Sequence, residues 1–351
     1  MSSPQSMSKA LLKAAKRKDA VTIQYYIEDK KVHVDTEDAY GMTPLHWAAW
    51  GGNLKIVRYL VEKANANVEA NHDDGFTPLH RAAAGSGVDV VSYLVEKASA
   101  NYNAQTNDGA TPLHWAAACG RIGAVRCLVE KVSANVEAQD KRGYTPLHWA
   151  ATNGRLEFVQ YLVGDANAKV EAKDNDGYTP LHGAAHNGKV DVVRYLVEEA
   201  KANAEARNNY GWTPLHRAAQ YGHRQPVIYL TQTANANVDA EDADGETPIH
   251  YAAANGHLRV VRWLVRSNAD IEAKNNDGQT PLGFAKEFKE NSVVEFIEEV
   301  VNERRVKRCL CRDLDLVAML HNDIWESIFG AKLYCSVSVD DETIEKSTTC
   351  I

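Results

Sequence analysis

The sequence predicts an all-α solenoid, in which tandem pairs of helices are joined by short hairpin-like turns. The motif Thr-Pro-Leu-His recurs every 34 residues, starting at positions 43, 77, 111, 145, 179 and 213. Variants of it start at Thr247, again after 34 residues, and at Thr280, after 33. Self-similarity at a fixed period of this length is the signature of a repeat architecture.

The unit from Asp174 to Arg207 shows why each period predicts two helices. Its Asn-Asp-Gly sequence at 175–177 indicates a tight turn, because glycine accepts a positive φ. Thr179 can then cap a helix whose first position holds Pro180, where the missing N–H has no cost. Gly188 ends this helix. Apolar residues at helical spacing then mark the second helix, namely Val192, Val193, Leu196 and Val197.

The unit resembles the ankyrin repeat. A 34-residue period alone would also suit tetratricopeptide repeats, but the motif within the period contradicts that interpretation. The ankyrin pattern, Asp-x-x-Gly-x-Thr-Pro-Leu-His-x-Ala-Ala followed by a glycine and a Val/Leu-rich helix, is matched from 38 to 274 and partially from 275 to 301. Most units exceed the family's usual length by one residue, and we interpret the extra residue as a loop insertion within 64–67.

The sequence divides into five parts. They are a disordered N-terminus (1–7), a degenerate N-terminal capping repeat (8–37), seven ankyrin repeats (38–274), a C-terminal capping ankyrin repeat (275–301) and a basic, amphipathic helical tail with a frayed end (302–351). Gly283 replaces the motif histidine in the last unit, where several charged residues follow. Polar terminal units of this kind keep an open stack soluble. The basic run at 304–308 is open to two interpretations, a nuclear-import signal or the solvated end of a helix.

Composition excludes several classes of protein. Of 351 residues, 44% are hydrophobic and 25% charged, which is ordinary for a folded soluble protein. The net charge of −8 does not suit a general nucleic-acid binder, and no stretch is apolar enough to cross a membrane. The six cysteines lack regular spacing, which indicates reduced thiols. We expect a monomer located in the cytoplasm. A nuclear location is left open, as is the cytosol of a host cell if an intracellular bacterium makes the protein.

A metal centre or an active site is not expected. Seven of the thirteen histidines are motif histidines, one in each unit: His46, His80, His114, His148, His182, His216 and His250. Neighbouring ones would lie about 8–10 Å apart, too far to share a zinc ion. The resemblance implies that each bonds its own motif threonine and the backbone of an adjacent turn. Cys309 and Cys311, with His321 and Cys335, lack common zinc spacing. We therefore expect no catalytic residue, cofactor, metal or small-molecule substrate.

Positions that change from unit to unit are the candidates for partner binding, because a residue that recurs in every unit maintains the stack. The position before the motif threonine varies, and the resemblance places it at the turn tip on the concave side. It reads Met42, Phe76, Ala110, Tyr144, Tyr178, Trp212, Glu246 and Gln279. Three consecutive aromatic residues here would form a stripe about 20 Å long. Tyrosine, tryptophan and arginine are common interface anchors.

The remaining candidates lie beside this column. Lys141, Arg142 and Tyr210 are in the same turns, and Trp50, His186 and Tyr221 follow the two alanines of their units. The alternative, that each ring packs on its own turn and the next, is left open. The column after the motif histidine is interpreted mainly as packing: Trp47, Arg81, Trp115, Trp149, Gly183, Arg217 and Tyr251. The nearly constant column Tyr59, Tyr93, Cys127, Tyr161, Tyr195, Tyr229 and Trp263 is interpreted as packing too.

The resemblance implies a protein-protein interaction scaffold that binds one or more partner proteins through its concave face. An acidic protein favours partners with basic patches, chiefly through the association rate. The alternative is a two-ended adaptor, in which residues 302–351 recruit a second complex such as ubiquitin machinery.

Overall fold

A computed structural model describes residues 3–85 and 87–306, and this part of the chain is a stack of helix pairs without a strand. The first helices of the units are α1 (Pro4–Arg17), α3 (Pro44–Trp50), α5 (Pro78–Ala84), α7 (Pro112–Cys119), α9 (Pro146–Thr152), α11 (Pro180–His186), α13 (Pro214–Gln220), α15 (Pro248–Ala254) and α17 (Pro281–Glu287). The second helices are α2 (Ala20–Gln24), α4 (Leu54–Arg58), α6 (Val88–Glu96), α8 (Ile122–Arg126), α10 (Leu156–Gly164), α12 (Val190–Glu198), α14 (Arg224–Gln232), α16 (Leu258–Arg266) and α18, which covers 291–306.

The helices form two layers. Each first helix packs against the first helix of the next unit, from α1 on α3 through to α15 on α17, and the second helices form the other layer. The alanine pair of each motif, such as Ala184 and Ala185, has no exposed surface. These small side chains allow neighbouring first helices to approach closely. Because each unit contacts only its neighbours, this is a one-dimensional solenoid, as the repeats predict.

The motif starts each first helix as the sequence predicts. Thr145 is the N-cap of α9, and its hydroxyl accepts a bond from the backbone N–H of His148. The imidazole of His148 accepts a bond in return from the backbone N–H of Thr145, at 3.2 Å. Pro146 occupies the first helical position, where no N–H is needed. Equivalent reciprocal caps begin α3, α5, α7, α11, α13 and α15.

The extra residue of the 34-residue units lies at the end of the second helix. In the unit of α10, the carbonyl of Tyr161 accepts bonds from both Asp165 and Ala166. This widened turn holds one residue more than an α-helical turn, and three units show it as a π-helical segment: Tyr25–Asp29, Tyr59–Lys63 and Cys127–Lys131. The insertion is therefore absorbed as a helical bulge ahead of the link, because a π-turn keeps the backbone N–H bonded.

The two ends of the stack differ from the boundaries drawn on the sequence. Helix α1 begins at Pro4, inside the segment predicted to be disordered, because the hydroxyl of Ser3 caps it. Helix α18 continues past position 302, where the tail was predicted to begin, and is helical up to the last described residue, at position 306. The predictions for Cys309, Cys311, His321 and Cys335, and for the amphipathic tail beyond position 306, lie outside the described residues.

Candidate functional site

Each turn between units, which we call a finger, contains a polar residue whose side chain bonds the finger backbone. In the fourth finger, Oδ1 of Asp140 accepts bonds from the backbone N–H groups of Arg142 and Tyr144, both at 2.9 Å. Gly143 supplies the positive φ that this turn requires. The same two bonds recur at Asp38, Asp174, Asn208, Asp242 and Asn275. The finger backbone is therefore fixed before any partner arrives.

Backbone bonds also tie consecutive fingers to one another. Lys141 donates its N–H to the carbonyl of Asp108 in the preceding finger at 2.9 Å, and Asn175 donates to Arg142 at 3.0 Å. The Asn175 side chain adds a bond to the carbonyl of Lys141 at 2.9 Å. Because the fingers are bonded in series, the side chains at their tips have a fixed spacing.

The motif histidines bond as the resemblance implies. Nδ1 of His182 accepts from the backbone N–H of Thr179 at 3.1 Å, which leaves the ring proton on Nε2. Nε2 donates it to the carbonyl of Trp212 in the next unit at 2.9 Å. Burial lowers the pKa of the ring to about 4 at His46, His80, His148, His182 and His216. A buried neutral imidazole with both nitrogens bonded is a structural link between units.

Two of the predicted binding residues are buried. Met42 is 3% exposed and Phe76 is 8% exposed. The Phe76 ring stacks on His72 with centroids 4.7 Å apart and contacts the Trp115 ring at the same distance. Arg81 covers it further, with the guanidinium carbon 4.5 Å from the ring centroid. These two tips pack in the stack and offer a partner little surface, because neighbouring units cover them.

The three consecutive aromatic tips, Tyr144, Tyr178 and Trp212, form a stripe that is half-buried. The Tyr144 ring stacks on His148 with centroids 5.5 Å apart and planes within 6°. Tyr178 meets His182 edge-on at 5.5 Å. Trp212 packs against Tyr251 of the following unit at 4.5 Å. Each ring therefore packs against the stack on one side and remains exposed on the other. The packed side fits the interpretation of this column as stack packing, and the exposed side fits its interpretation as a binding surface.

The remaining predicted residues lie at the surface. Trp50, Tyr210 and Tyr221 are 48%, 54% and 46% exposed, and Lys141 and Arg142 are exposed as well. His186 is only partly exposed, and its ring meets that of Tyr221 at 4.0 Å. We call the surface formed by the finger tips and the first helices the inner face.

Sequence reasoning missed Arg217, which joins several of these side chains. Its guanidinium carbon lies 4.8 Å from the ring centroid of Tyr178, 5.3 Å from that of Tyr221 and 5.5 Å from that of Trp212. Its column was interpreted as packing, because tryptophan dominates it. The one sequence signal was the change to glycine at position 183, in the unit before Arg217.

The nearly constant tyrosine column packs between second helices, as predicted. The hydroxyls of Tyr59, Tyr93 and Tyr161 donate to Glu28, Glu62 and Glu130 of the preceding units, at 2.9–3.2 Å. Arginines lie over two of these rings, Arg58 over Tyr93 at 5.4 Å and Arg126 over Tyr161 at 5.2 Å. This column belongs to the other layer and contributes nothing to the inner face.

Neither a metal centre nor a membrane span is found in the described residues. Within 3–85 and 87–306, no three His, Cys, Asp or Glu side chains are placed to hold an ion together. Over the same residues, no helix combines the length and the apolar character that crossing a bilayer requires.

Helix pairs in series, bonded fingers and a histidine link between units define a class of protein, the helical repeat proteins. Models of ankyrin repeats match residues 11–106, 98–174 and 166–242 in a three-copy form, and 229–285 in a many-copy form. The chain belongs to the ankyrin-repeat family. Ankyrin repeats are generally protein-protein interaction modules. A comparison with curated proteins finds no match.

Proposed function

We propose that this protein is an interaction scaffold and that a partner protein binds the inner face, centred on units five to seven. The observation that carries the proposal is the set of aromatic side chains that these units hold at the surface. Tyr210 and Tyr221 are about half exposed, and Tyr178 and Trp212 lie beside them. Aromatic residues bury much area with few rotatable bonds, which suits them as anchors of an interface.

Rigid display supports this function. The finger tips are fixed by Asp174 and Asn208, which bond the backbone of their own fingers. Consecutive fingers are bonded as well: the backbone N–H of Asn209 donates to the carbonyl of Asp176 at 2.9 Å, and that of Ala243 donates to the carbonyl of Tyr210 at 3.0 Å. A preorganised surface loses little conformational entropy on binding, so more of the contact energy appears as affinity.

The test is a crosslinking pull-down from lysate of the source cells, read by mass spectrometry. The intact chain is compared with a Tyr210→Ala, Tyr221→Ala double variant. Tyr40→Ala is the matched control, because Tyr40 occupies the position of Tyr210 in the first finger and is 71% exposed. We expect partners that are lost from the double variant and kept by the control. Partners kept by all three proteins, with unchanged circular dichroism, contradict this location.

A second candidate function is that of a two-ended adaptor. Helix α18 has 16 described residues, against nine in α16, and it extends beyond the last repeat carrying Arg304 and Arg305. The chain that follows it is a candidate for recruiting a second complex. A chain ending at Val306 tests the idea, because it keeps every described element. If it retains every partner of the full chain, the adaptor function is excluded.

A further inference from the structure

One finger tip of the inner face lacks the cover that its neighbours have. The residue after the motif histidine packs on the tip of the preceding finger: Trp115 contacts Phe76 at 4.7 Å, and Tyr251 contacts Trp212 at 4.5 Å. At the same spacing of 39 residues, position 183 would pack on Tyr144, but position 183 is glycine. Its backbone is partly exposed. We call the surface between Tyr144 and Tyr178, where position 183 contributes no side chain, the Gly183 notch.

Arg217 borders the notch from the next unit. Its guanidinium carbon lies 4.8 Å from the Tyr178 ring centroid. Burial raises the pKa of the Tyr144 hydroxyl, and the positive charges of Arg142 and Arg217 oppose that change. Arg217 therefore acts electrostatically across two units, on the Tyr144 ring over which position 183 places no side chain.

The guanidinium of Arg217 is poorly compensated. Nη1 donates to the Gln220 side chain at 3.1 Å, whereas Nε is buried without a partner. No carboxylate forms an ion pair with Arg217 in the described part of the chain. A half-buried cation with an unpaired donor carries a desolvation cost that an incoming anion can recover.

The groups around the notch favour a singly charged anion. The hydroxyls of Tyr144 and Tyr178 make no hydrogen bond to another described residue, so both can donate. Asp174 is buried and accepts bonds from its own finger, and Asp176 is exposed nearby. Two carboxylates so close disfavour a phosphate dianion by like-charge repulsion, while one peptide carboxylate matches one guanidinium.

We propose that the Gly183 notch is a specificity site that binds the carboxylate of an aspartate or glutamate side chain on the partner, with Arg217 as its ion-pair donor. The site rests on the proposed function and adds a preference to it. The net charge of the chain acts on the whole partner at long range, whereas the notch recognises a single acidic side chain of the partner by direct contact.

A random twelve-residue peptide library displayed on phage serves as the probe, selected against the full chain. Selected peptides are then synthesised, and their affinities are measured by fluorescence anisotropy. Five variants are compared with the natural chain: the three described next, and the inner-face variants Tyr210→Ala and Tyr221→Ala. Arg217→Gln removes the charge, and Arg81→Gln is the control, since Arg81 holds the same position in the second unit.

The third variant, Thr152→Ala with Gly183→Trp, fills the notch. A side chain at position 183 would approach the Thr152 hydroxyl closely, with its Cβ at 2.5 Å, so the threonine is replaced as well. The pair reproduces a combination that the protein already contains, Trp149 with Ala118 one unit earlier. An unchanged melting temperature shows that the variants remain folded.

We expect the selected peptides to share an acidic residue at one position. Their affinity should fall at least tenfold in Arg217→Gln and in the filled variant, and stay unchanged in Arg81→Gln. Peptides without a shared acid, or with unchanged affinity for Arg217→Gln, overturn the carboxylate site; if Tyr210→Ala still weakens them, the inner face survives as the binding surface. Tighter binding after phosphoserine replaces the acid also overturns it. If nothing is selected, or if Tyr210→Ala and Tyr221→Ala change no affinity, the notch and the binding surface both fail.

Discussion

Nε2 of His148 donates a hydrogen bond to the backbone carbonyl of Tyr178, 3.0 Å away in the next unit. Its Nδ1 accepts from Thr145, so one ring closes the cap of its own helix and binds the tip of the following finger. The link couples helix formation in one unit to the placement of a surface residue in the next. Seven such links, each at 2.9–3.3 Å, run along the stack.

Stability should fall as the pH drops from about 6.5 to about 4. An unfolded chain protonates its histidines near pH 6.5, whereas burial holds the pKa of His148, His182 and three other motif histidines at about 4. In this window the unfolded state binds more protons, so the stabilisation is complete above pH 6.5 and is lost on acidification, by about 1.4 kcal/mol per pH unit for each histidine.

Urea unfolding at pH 7.5, 5.5 and 4.5 measures the dependence. His182→Gln should have the smaller slope, since it removes one of the groups that titrate on unfolding. Equal midpoints at pH 7.5 and pH 4.5 would contradict the assignment of buried neutral rings.

Gly164→Glu should stabilise the protein. The tyrosine hydroxyls of the second layer bond a glutamate of the preceding unit, as Tyr161 bonds Glu130 at 3.2 Å, but glycine occupies the corresponding position for Tyr195. Gly164 ends α10, and a Cβ there would meet no atom within 4 Å. We expect a gain of about 1–2 kcal/mol in the free energy of unfolding, from helix propensity and one hydrogen bond.

Two further variants separate these contributions to the effect of Gly164→Glu. Gly164→Ala should keep only the propensity gain, about 1 kcal/mol at most. Adding Tyr195→Phe to the glutamate variant should remove the hydrogen-bond gain. If alanine and glutamate give the same unfolding midpoint in urea, the pairing with Tyr195 does not form.

Truncation to alanine should cost much more stability at Phe76 than at Tyr210. Phe76→Ala should destabilise the protein by about 3 kcal/mol, because its buried ring fills the space between His72, Trp115 and Arg81. Tyr210→Ala should cost less than about 0.5 kcal/mol, the usual cost of a surface change. Thermal unfolding compares the two, and a larger loss for Tyr210 would mean that its ring belongs to the packing of the stack.

Salt should slow association with the partner identified by the pull-down. The chain carries a net charge of −8, and we expect its partner to present basic patches. Raising ionic strength from 0.05 M to 0.5 M shortens the screening length from about 14 Å to about 4 Å, so the association rate constant should fall while dissociation changes little. Stopped-flow mixing measures both rates. A constant association rate at all salt concentrations would contradict the electrostatic contribution.

Local signals account for how much of the fold the sequence predicts. Thr179, Pro180 and Gly188 specify helix starts and stops through backbone chemistry that acts within a few residues, and the repeats multiply that signal. The same signals are weakest at the ends of the stack. A single serine cap at Ser3 starts α1 early, and neither glycine nor proline follows Val301 within 302–306, so α18 continues.

The sequence by itself determined the repeat, its helices and the structural role of the motif histidines, because these depend on short-range bonds within a unit and its neighbour. Only the tertiary structure decided which variable residues remain at the surface. Phe76 and Tyr144 share one column, yet Trp115 covers the first, whereas the second has glycine at the equivalent position 183 and stays half-buried. Burial at a finger tip depends on a side chain 39 residues further along the chain, and stacking alone brings the two together.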